Sequence, residues 1–155
     1  ALLLGLCLQA WDPVLGETSS PLSTNGTLVV RAEEAEEDGS RRAIYLTGRV
    51  EIQAPMWAAR GKSATLYGDP ADPRSVVMEG APASVKVLRS KDGVLVEAAG
   101  KYLEYWRDRD ALRLRGEAVV QDGERVIRGD SMTYYIETKR YSVGGKGRVK
   151  VVAEP

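Results

Sequence analysis

The sequence predicts an all-β fold: an antiparallel many-stranded β-jelly-roll built from repeated strand pairs. Two observations over residues 28–152 predict it. Apolar and polar residues alternate with a period of two, and a motif marked by small residues, mostly glycine, occurs in four copies. Alternation is typical of antiparallel strands that bury one face, and no segment after Leu28 has apolar residues at the spacing of a helix face.

The alternation is clearest in four segments of the chain, at 44–53, 85–87, 112–121 and 148–151. Two Asp-Gly pairs, beginning at Asp92 and Asp122, stand between strand-like runs. They predict hairpins because such tight turns need residues that tolerate a positive φ.

The motif consists of a small residue inside a strand, a turn, and then an apolar-x-Gly step. The distances between the two motif positions are 16, 19, 16 and 16 residues. The three extra residues of the second copy fall in the turn-rich stretch 68–73, which we expect to lie outside the strands. The four pairs are Ala32 with Gly48, Gly61 with Gly80, Gly100 with Gly116, and Gly129 with Gly145.

Each copy is a strand pair too small to bury its own apolar face, so the copies are expected to stack in sequence order around one core. A glycine inside a strand indicates a bend or bulge. Glycines at the same place in each copy therefore predict a sheet that curves at one level into a flattened tube. Such a tube has an apolar lining and an edge strand at each end, and free edges invite pairing with another chain.

Composition argues against several classes of function. The 22 basic and 22 acidic residues cancel, which disfavours a nucleic-acid partner. Histidine is absent and Cys7 is the single cysteine, so the sequence offers no metal site, no cofactor site and no recognisable acid–base or nucleophilic pair. The stretch 108–110 is expected to form a turn. We therefore expect a binding protein and not an enzyme.

The N-terminal segment is expected to be processed. Residues 1–10 form an apolar run that ends in a small residue, typical of the end of a secretory signal peptide, and 11–27 form a flexible leader to the domain at 28–152. The run is short for a membrane anchor. Lipidation of Cys7 is disfavoured because bulky Leu6 precedes it.

Two stretches carry a family resemblance. Leu46-Thr-Gly-Arg-Val-Glu-Ile52, and Arg128-Gly-Asp-Ser-Met-Thr-Tyr-Tyr-Ile136 with Tyr141-Ser-Val143 after it, resemble the OstA-like family of periplasmic lipopolysaccharide-transport proteins, the LptA group. The order and period of the motifs match over roughly 28–152, essentially the whole presumed domain.

The resemblance implies a jelly-roll, slightly open along one side, that shelters the acyl chains of lipopolysaccharide. It also implies a periplasmic location in a Gram-negative bacterium. End-to-end strand pairing, with further copies and with LptC-like and LptD-like domains, would bridge the inner and outer membranes. A membrane-anchored LptC-like scaffold, working mainly by edge pairing, is the alternative that the sequence leaves open.

The candidate site residues are the inward-facing apolar positions, which either fill a closed core or part around alkyl chains. They are Leu46, Val50, Ile52, Leu66, Val85, Val87, Val96, Leu103, Tyr105, Leu112, Leu114, Met132, Tyr134 and Ile136. The candidate oligomer edges are Leu28, Val29 and Val30 at one end, and Val149 and Val151 at the other.

The sequence is compatible with two roles for each of two further features. Met56, Trp57 and Trp106 lie at the mouth of the tube or cap the core near turns. The acidic run 33–38 forms a solvated strand end or hairpin, or steers a basic partner edge.

Overall fold

The structure, a computed structural model, describes residues 26–145 and 149–153. The predicted signal remnant at 1–10 and nearly all of the leader at 11–27 lie outside this range. Ten strands and one short 3₁₀ turn, Arg107–Arg109, form the described part, and no helix in it is long and apolar enough to cross a membrane. The strands are β1 Val29–Arg31, β2 Glu34–Asp38, β3 Ala43–Gln53, β4 Trp57–Asp69, β5 Asp72–Leu88, β6 Leu95–Trp106, β7 Ala111–Asp122, β8 Arg125–Tyr135, β9 Tyr141–Gly144 and β10 Lys150–Val152.

The strands form one antiparallel sheet in sequence order, β3-β4-β5-β6-β7-β8, closed at each end by two short strands. At the first end, which we call the head end, β1 and β2 pair with different halves of β3. At the other, the tail end, β10 and β9 pair with different halves of β8. The all-β prediction and the stacking in sequence order are confirmed.

Every long strand bends near its middle. The register shifts between Thr47 and Val50 in β3, and between Arg115 and Ala118 in β7, and comparable shifts occur in the strands between them. In β7, Gly116 has a φ of 78°, which a side chain would strain, and an added Cβ would lie 2.9 Å from the Cβ of Lys101. The motif glycines therefore mark the bends, as the spacing predicts.

The bends divide the sheet into two limbs whose inner faces meet in one core. Inward residues from both halves of each long strand belong to a single buried cluster. Limb A consists of β1, β10 and residues 50–53, 57–60, 83–88, 95–99, 118–122 and 125–129. Limb B consists of β2, β9 and residues 43–47, 63–69, 72–79, 102–106, 111–115 and 131–135.

The turns mostly follow the predictions. Both Asp-Gly pairs lie in hairpin connections, with φ of 72° at Gly93 and 62° at Gly123, and the stretch around 108–110 is the 3₁₀ turn. The prediction for 68–73 is wrong. Gly68 pairs with Pro73 and Asp69 with Asp72, so the inserted residues lengthen β4 and β5 and leave only a two-residue turn.

Candidate functional site

The candidate site is the apolar interior between limb A and limb B. All fourteen predicted interior residues are buried in one cluster; Leu103, Leu112, Leu114 and Tyr134 have no exposed surface. Alternation gives this result because side chains in a strand point to opposite faces in turn, so a pattern with one apolar face places those residues together.

Several buried residues are absent from the predicted set of fourteen. Val76 and Met78 in β5 are fully buried, as are Val120 and Ile127 in limb A, and Trp57 is nearly so. Alternation in β5 could have revealed Val76 and Met78, since both share the parity of Val85 and Val87 once the bend at Gly80 is allowed for. Trp57 is buried at the start of β4, whereas Met56 is 41% exposed, which fits a tryptophan that caps the core.

The fourteen predicted interior side chains are enclosed, none of them more than 4% exposed. A recess of about 180 Å³ opens where the limbs meet, smaller than the roughly 300 Å³ of small ligand pockets. The recess is lined by Met56, Trp57, Val87, Leu88, Ser90, Tyr105, Arg107, Asp110, Ile136 and Glu137.

In each limb, the strand ends farthest from the bends form an edge that we call the rim. The rims of the two limbs meet along a line opposite the bends, which we call the seam. Near the tail end, a buried arginine joins the rims. Arg89, 1% exposed, donates to Asp122 at 2.7 Å in limb A, and to the main-chain oxygen of Ile136 at 3.4 Å just after limb B. The hydroxyl of Tyr134, from limb B, also donates to Asp122. Arg89, Asp122, Tyr134, Ile136 and Asp92 form what we call the seam cluster.

The seam cluster keeps its charges paired. Hydrogen bonds to Asp92 and then to Asp122 raise the pKa of Arg89. Burial alone would raise the pKa of Asp122, but hydrogen bonds from Arg89 and Tyr134 outweigh it and hold that pKa below its usual value. The Arg89 hydrogen bond lowers the pKa of Asp92 to about 2, and burial, aided by the bond to Asp122, raises the pKa of Tyr134 to about 12.

Side chains make the other contacts across the seam. The rings of Trp57 and Tyr105 meet edge to face with centroids 5.5 Å apart, and the hydroxyl of Ser90 donates to Glu137 at 3.0 Å. In the described part of the chain, each main-chain hydrogen bond at the rims joins two residues of the same limb. The chain itself therefore joins the limbs at the bends, and side-chain contacts mainly hold them together at the seam.

Trp106 lies outside this interior. Its indole N–H donates to Glu104, and the guanidinium of Arg109 lies 4.3 Å from its ring centroid. It therefore covers the outer face of limb B beside a turn and does not line the recess.

The predicted oligomer residues lie at the two ends of limb A. Val30 in β1 pairs with Ile52, and Val151 in β10 pairs with Ile127. Among residues 26–145 and 149–153, each of these strands is paired along one side only. Val29, Val149 and Val151 are 37%, 50% and 42% exposed, and Leu28 and Val30 are partly buried against the core.

Chemistry that would suggest catalysis or metal binding is sparse among the described residues. In that part of the chain, no group of three or more Asp, Glu, His or Cys side chains could hold a metal ion. Its buried polar side chains all have hydrogen-bond partners, and the buried charges belong to the seam cluster.

Comparisons with known proteins agree with this architecture. A family model described as LptA/(LptD N-terminal domain) LPS transport protein matches residues 29–140. The crystal structure of LptH from Pseudomonas aeruginosa, the LptA homologous periplasmic component of its lipopolysaccharide transport device, is similar with a TM-score of 0.73. The match covers 87% of this chain and 100% of LptH at 20% sequence identity, which supports the fold. No curated protein matches the chain.

Proposed function

Because the chain belongs to the LptA/(LptD N-terminal domain) family of lipopolysaccharide-transport proteins, we propose that it is a periplasmic lipopolysaccharide carrier of the LptA type. In this proposal the acyl chains lie between limb A and limb B while the sugars stay in water. The observation that carries it is one continuous apolar cluster contributed by both limbs and enclosed by a seam of side-chain contacts.

The limbs can part without loss of the sheet. The chain itself links the limbs at the bends, and the hydrogen-bond ladder of each limb lies to one side of them. Opening the seam would therefore break mainly the Tyr134–Asp122 and Arg89–Ile136 bonds and the Trp57–Tyr105 contact. Each methylene of an acyl chain buried between the limbs contributes about 0.8 kcal/mol. One chain of ordinary length would therefore offset the loss of several such contacts, each contributing about 1 kcal/mol.

The interior positions supply that lining. Leu46, Val50, Leu112 and Leu114 project from both sides of the bends, so a chain held between the limbs would contact both. Met132 adds a flexible thioether that adapts to varied apolar shapes. We propose the fourteen interior residues of the sequence analysis as the acyl-chain site.

The ends supply the bridge. We propose that β1, with Leu28, Val29 and Val30, and β10, with Val149 and Val151, pair with other OstA-like domains or with further copies of the chain. An exposed edge strand is a template for such pairing. The family model describes LptA and the N-terminal domain of LptD, which favours the carrier over the anchored LptC-like scaffold. The proposal includes a secretory signal at 1–10 and a domain at 28–152, and assigns the protein no catalytic step.

Photo-crosslinking tests the lipid site. A photoreactive residue at Leu114 or Val50, both buried, should form adducts with lipopolysaccharide. The matched control is Arg113, the neighbour of Leu114 on the opposite, exposed face of β7, which should form few or none. Equal adducts at Leu114 and Arg113, or none at any inward position, would reject the interior as the site. Cell fractionation checks the periplasmic location.

A further inference from the structure

The acidic strand β2 has a charge pattern that the edge pairing proposed above does not use. Four of its five residues are acidic, and Glu34, Glu36 and Glu37 are exposed and make no ion pair in the described part of the chain. Edge strands often carry charges that block random pairing. A run of carboxylates on one edge also selects a partner edge that is basic.

The sheet geometry identifies which edge would lie beside β2 when two copies stack. β2 belongs to limb B at the head end, and β9 belongs to limb B at the tail end. The chain crosses the head end from limb A to limb B and crosses the tail end from limb B to limb A. A tail end beside a head end therefore places β9 next to β2, and β10 next to β1, with antiparallel order kept throughout.

Rows of paired residues set the side-chain matches at this junction. The row at the rim of limb B begins at Asp38 and ends at Tyr135, whose N–H donates to the main-chain oxygen of Arg140 at 2.8 Å. It runs through Asp38, Ala43, Tyr67, Ser75, Trp106, Ala111 and Tyr135. If each row of one copy continues into the corresponding row of the next copy, Asp38 of one copy lies opposite Arg140 of the other.

The neighbouring row gives a second match. It begins at Glu37 and ends at Tyr141, which pairs with Tyr134. The guanidinium of Arg125 lies 5.5 Å from the ring centroid of Tyr141. Glu37 of the next copy would therefore lie near the guanidinium of Arg125 and the hydroxyl of Tyr141. Arg140, opposite Asp38, is exposed and makes no ion pair in the described part of the chain.

We infer that β2 is a docking strand for β9 of a second copy, and that its carboxylates, facing Arg140 and Arg125, fix the head-to-tail direction and register of the stack. This rests on the end-to-end pairing in the proposed function, and adds to it a charged contact on limb B beside the apolar one on limb A. Charge complementarity contributes specificity and association rate, and salt screens it.

Charge reversal tests the direction of stacking. In the level stack Glu36 lies diagonally across from Arg140, on the same face as Asp38 and within reach of a long side chain. We expect Glu36→Lys, and separately Arg140→Glu, each to weaken self-association about tenfold at low salt, since each replaces attraction by repulsion between β2 and Arg140. Mixing the two variants should restore part of the association, because the tail of the Arg140→Glu variant then meets the head of the Glu36→Lys variant and their new charges attract. Sedimentation velocity measures each case, with Glu79→Lys as the control on an exposed acid in the middle of the sheet.

The outcomes separate this inference from the proposed function. If the reversed variants associate as strongly as Glu79→Lys, or if mixing restores nothing, β2 does not dock on β9, while end-to-end pairing stands. If the unaltered chain does not associate at any concentration, both the docking and the end-to-end pairing are overturned. Lipid crosslinking at Leu114 reports on the carrier role in either case.

Discussion

Arg89 and Asp122 form a buried ion pair at 2.7 Å, with side chains 1% and 5% exposed, where the rims of the two limbs meet. The pair links the β5–β6 hairpin to the end of β7, and Tyr134 from the opposite limb completes it. A charge this buried is tolerated only when it is paired and hydrogen-bonded. The seam near the tail end therefore depends on all of these groups together.

Removing the charge of Asp122 should destabilise the fold strongly. Asp122→Asn leaves Arg89 with the carboxylate of Asp92 and the main-chain oxygen of Ile136, and we expect the free energy of unfolding to fall by about 2 kcal/mol, the cost of a lost buried charge-assisted bond. Urea unfolding measures the change. The exposed pair Lys86–Glu97 is the control, because Glu97→Gln should cost under about 1 kcal/mol. Equal losses in the two variants would contradict the role given to the seam cluster.

Removing the Tyr134 hydroxyl should loosen the seam while the core stays packed. Tyr134→Phe keeps the buried ring and loses the bond donated to Asp122 and the bond accepted from Arg125, at a cost of about 2 kcal/mol. We expect faster loading of lipopolysaccharide, because less free energy is needed to part the limbs. Loading can be followed with the photoreactive residue at Leu114. Tyr135→Phe, next in sequence but outward and 40% exposed, should load at the unaltered rate. A Tyr134→Phe variant that loads no faster would show that the seam does not limit entry.

Acid should weaken the fold through the seam carboxylates. The folded-state pKa of Asp92 is about 2 against an ordinary value of 3.8, and that of Asp122 is also lowered. A lowered pKa contributes stability that is present above the unfolded-state value and is lost as the pH falls toward the folded-state value. We therefore expect the loss between about pH 4 and pH 2. Urea unfolding over this range should show a smaller loss in the variant with both Asp92→Asn and Asp122→Asn. An identical pH dependence would contradict the assignment.

The bend in β7 should require glycine. At Gly116, alanine would combine a φ of 78° with a Cβ only 2.9 Å from the Cβ of Lys101. We expect Gly116→Ala to lower the free energy of unfolding by about 2 kcal/mol. Gly39→Ala is the control, because its φ is not positive and nothing lies within 4 Å of an added Cβ. If both variants unfold alike, Gly116 is not needed for the bend.

The sequence predicted the features that follow from local pattern. Alternation identified Leu112 and Leu114 as interior, and the spacing from Gly100 to Gly116 identified a bend, because both depend on strand periodicity alone. Arg89 could not be found in this way, since its burial arises only when the limbs close and bring Tyr134 to Asp122. The error at 68–73 arose because Pro73 was read as a turn residue, although proline can occupy the first positions of a strand.

The sequence also did not reveal that each end of the sheet consists of two short strands, one in each limb. The acidic run at 33–38 was compatible with a strand end or a hairpin, and only the pairing of β2 with the first half of β3 assigns it to limb B. Val151 lies in β10 at the tail end, and Val149 directly precedes that strand. Their role in pairing with another chain remains a prediction.

The central claim is that the limbs part around lipid chains, and a distance across the bend tests it most directly. Arg113 and Gln121 are exposed on β7, one in each limb, and can carry spin labels after Cys7→Ser. Gln53 and Gln121 give a control pair within limb A, separated by four strand spacings, about 19 Å. On binding lipopolysaccharide, the Arg113–Gln121 distance should increase while the control distance stays constant. Bound lipopolysaccharide with both distances unchanged would contradict the claim.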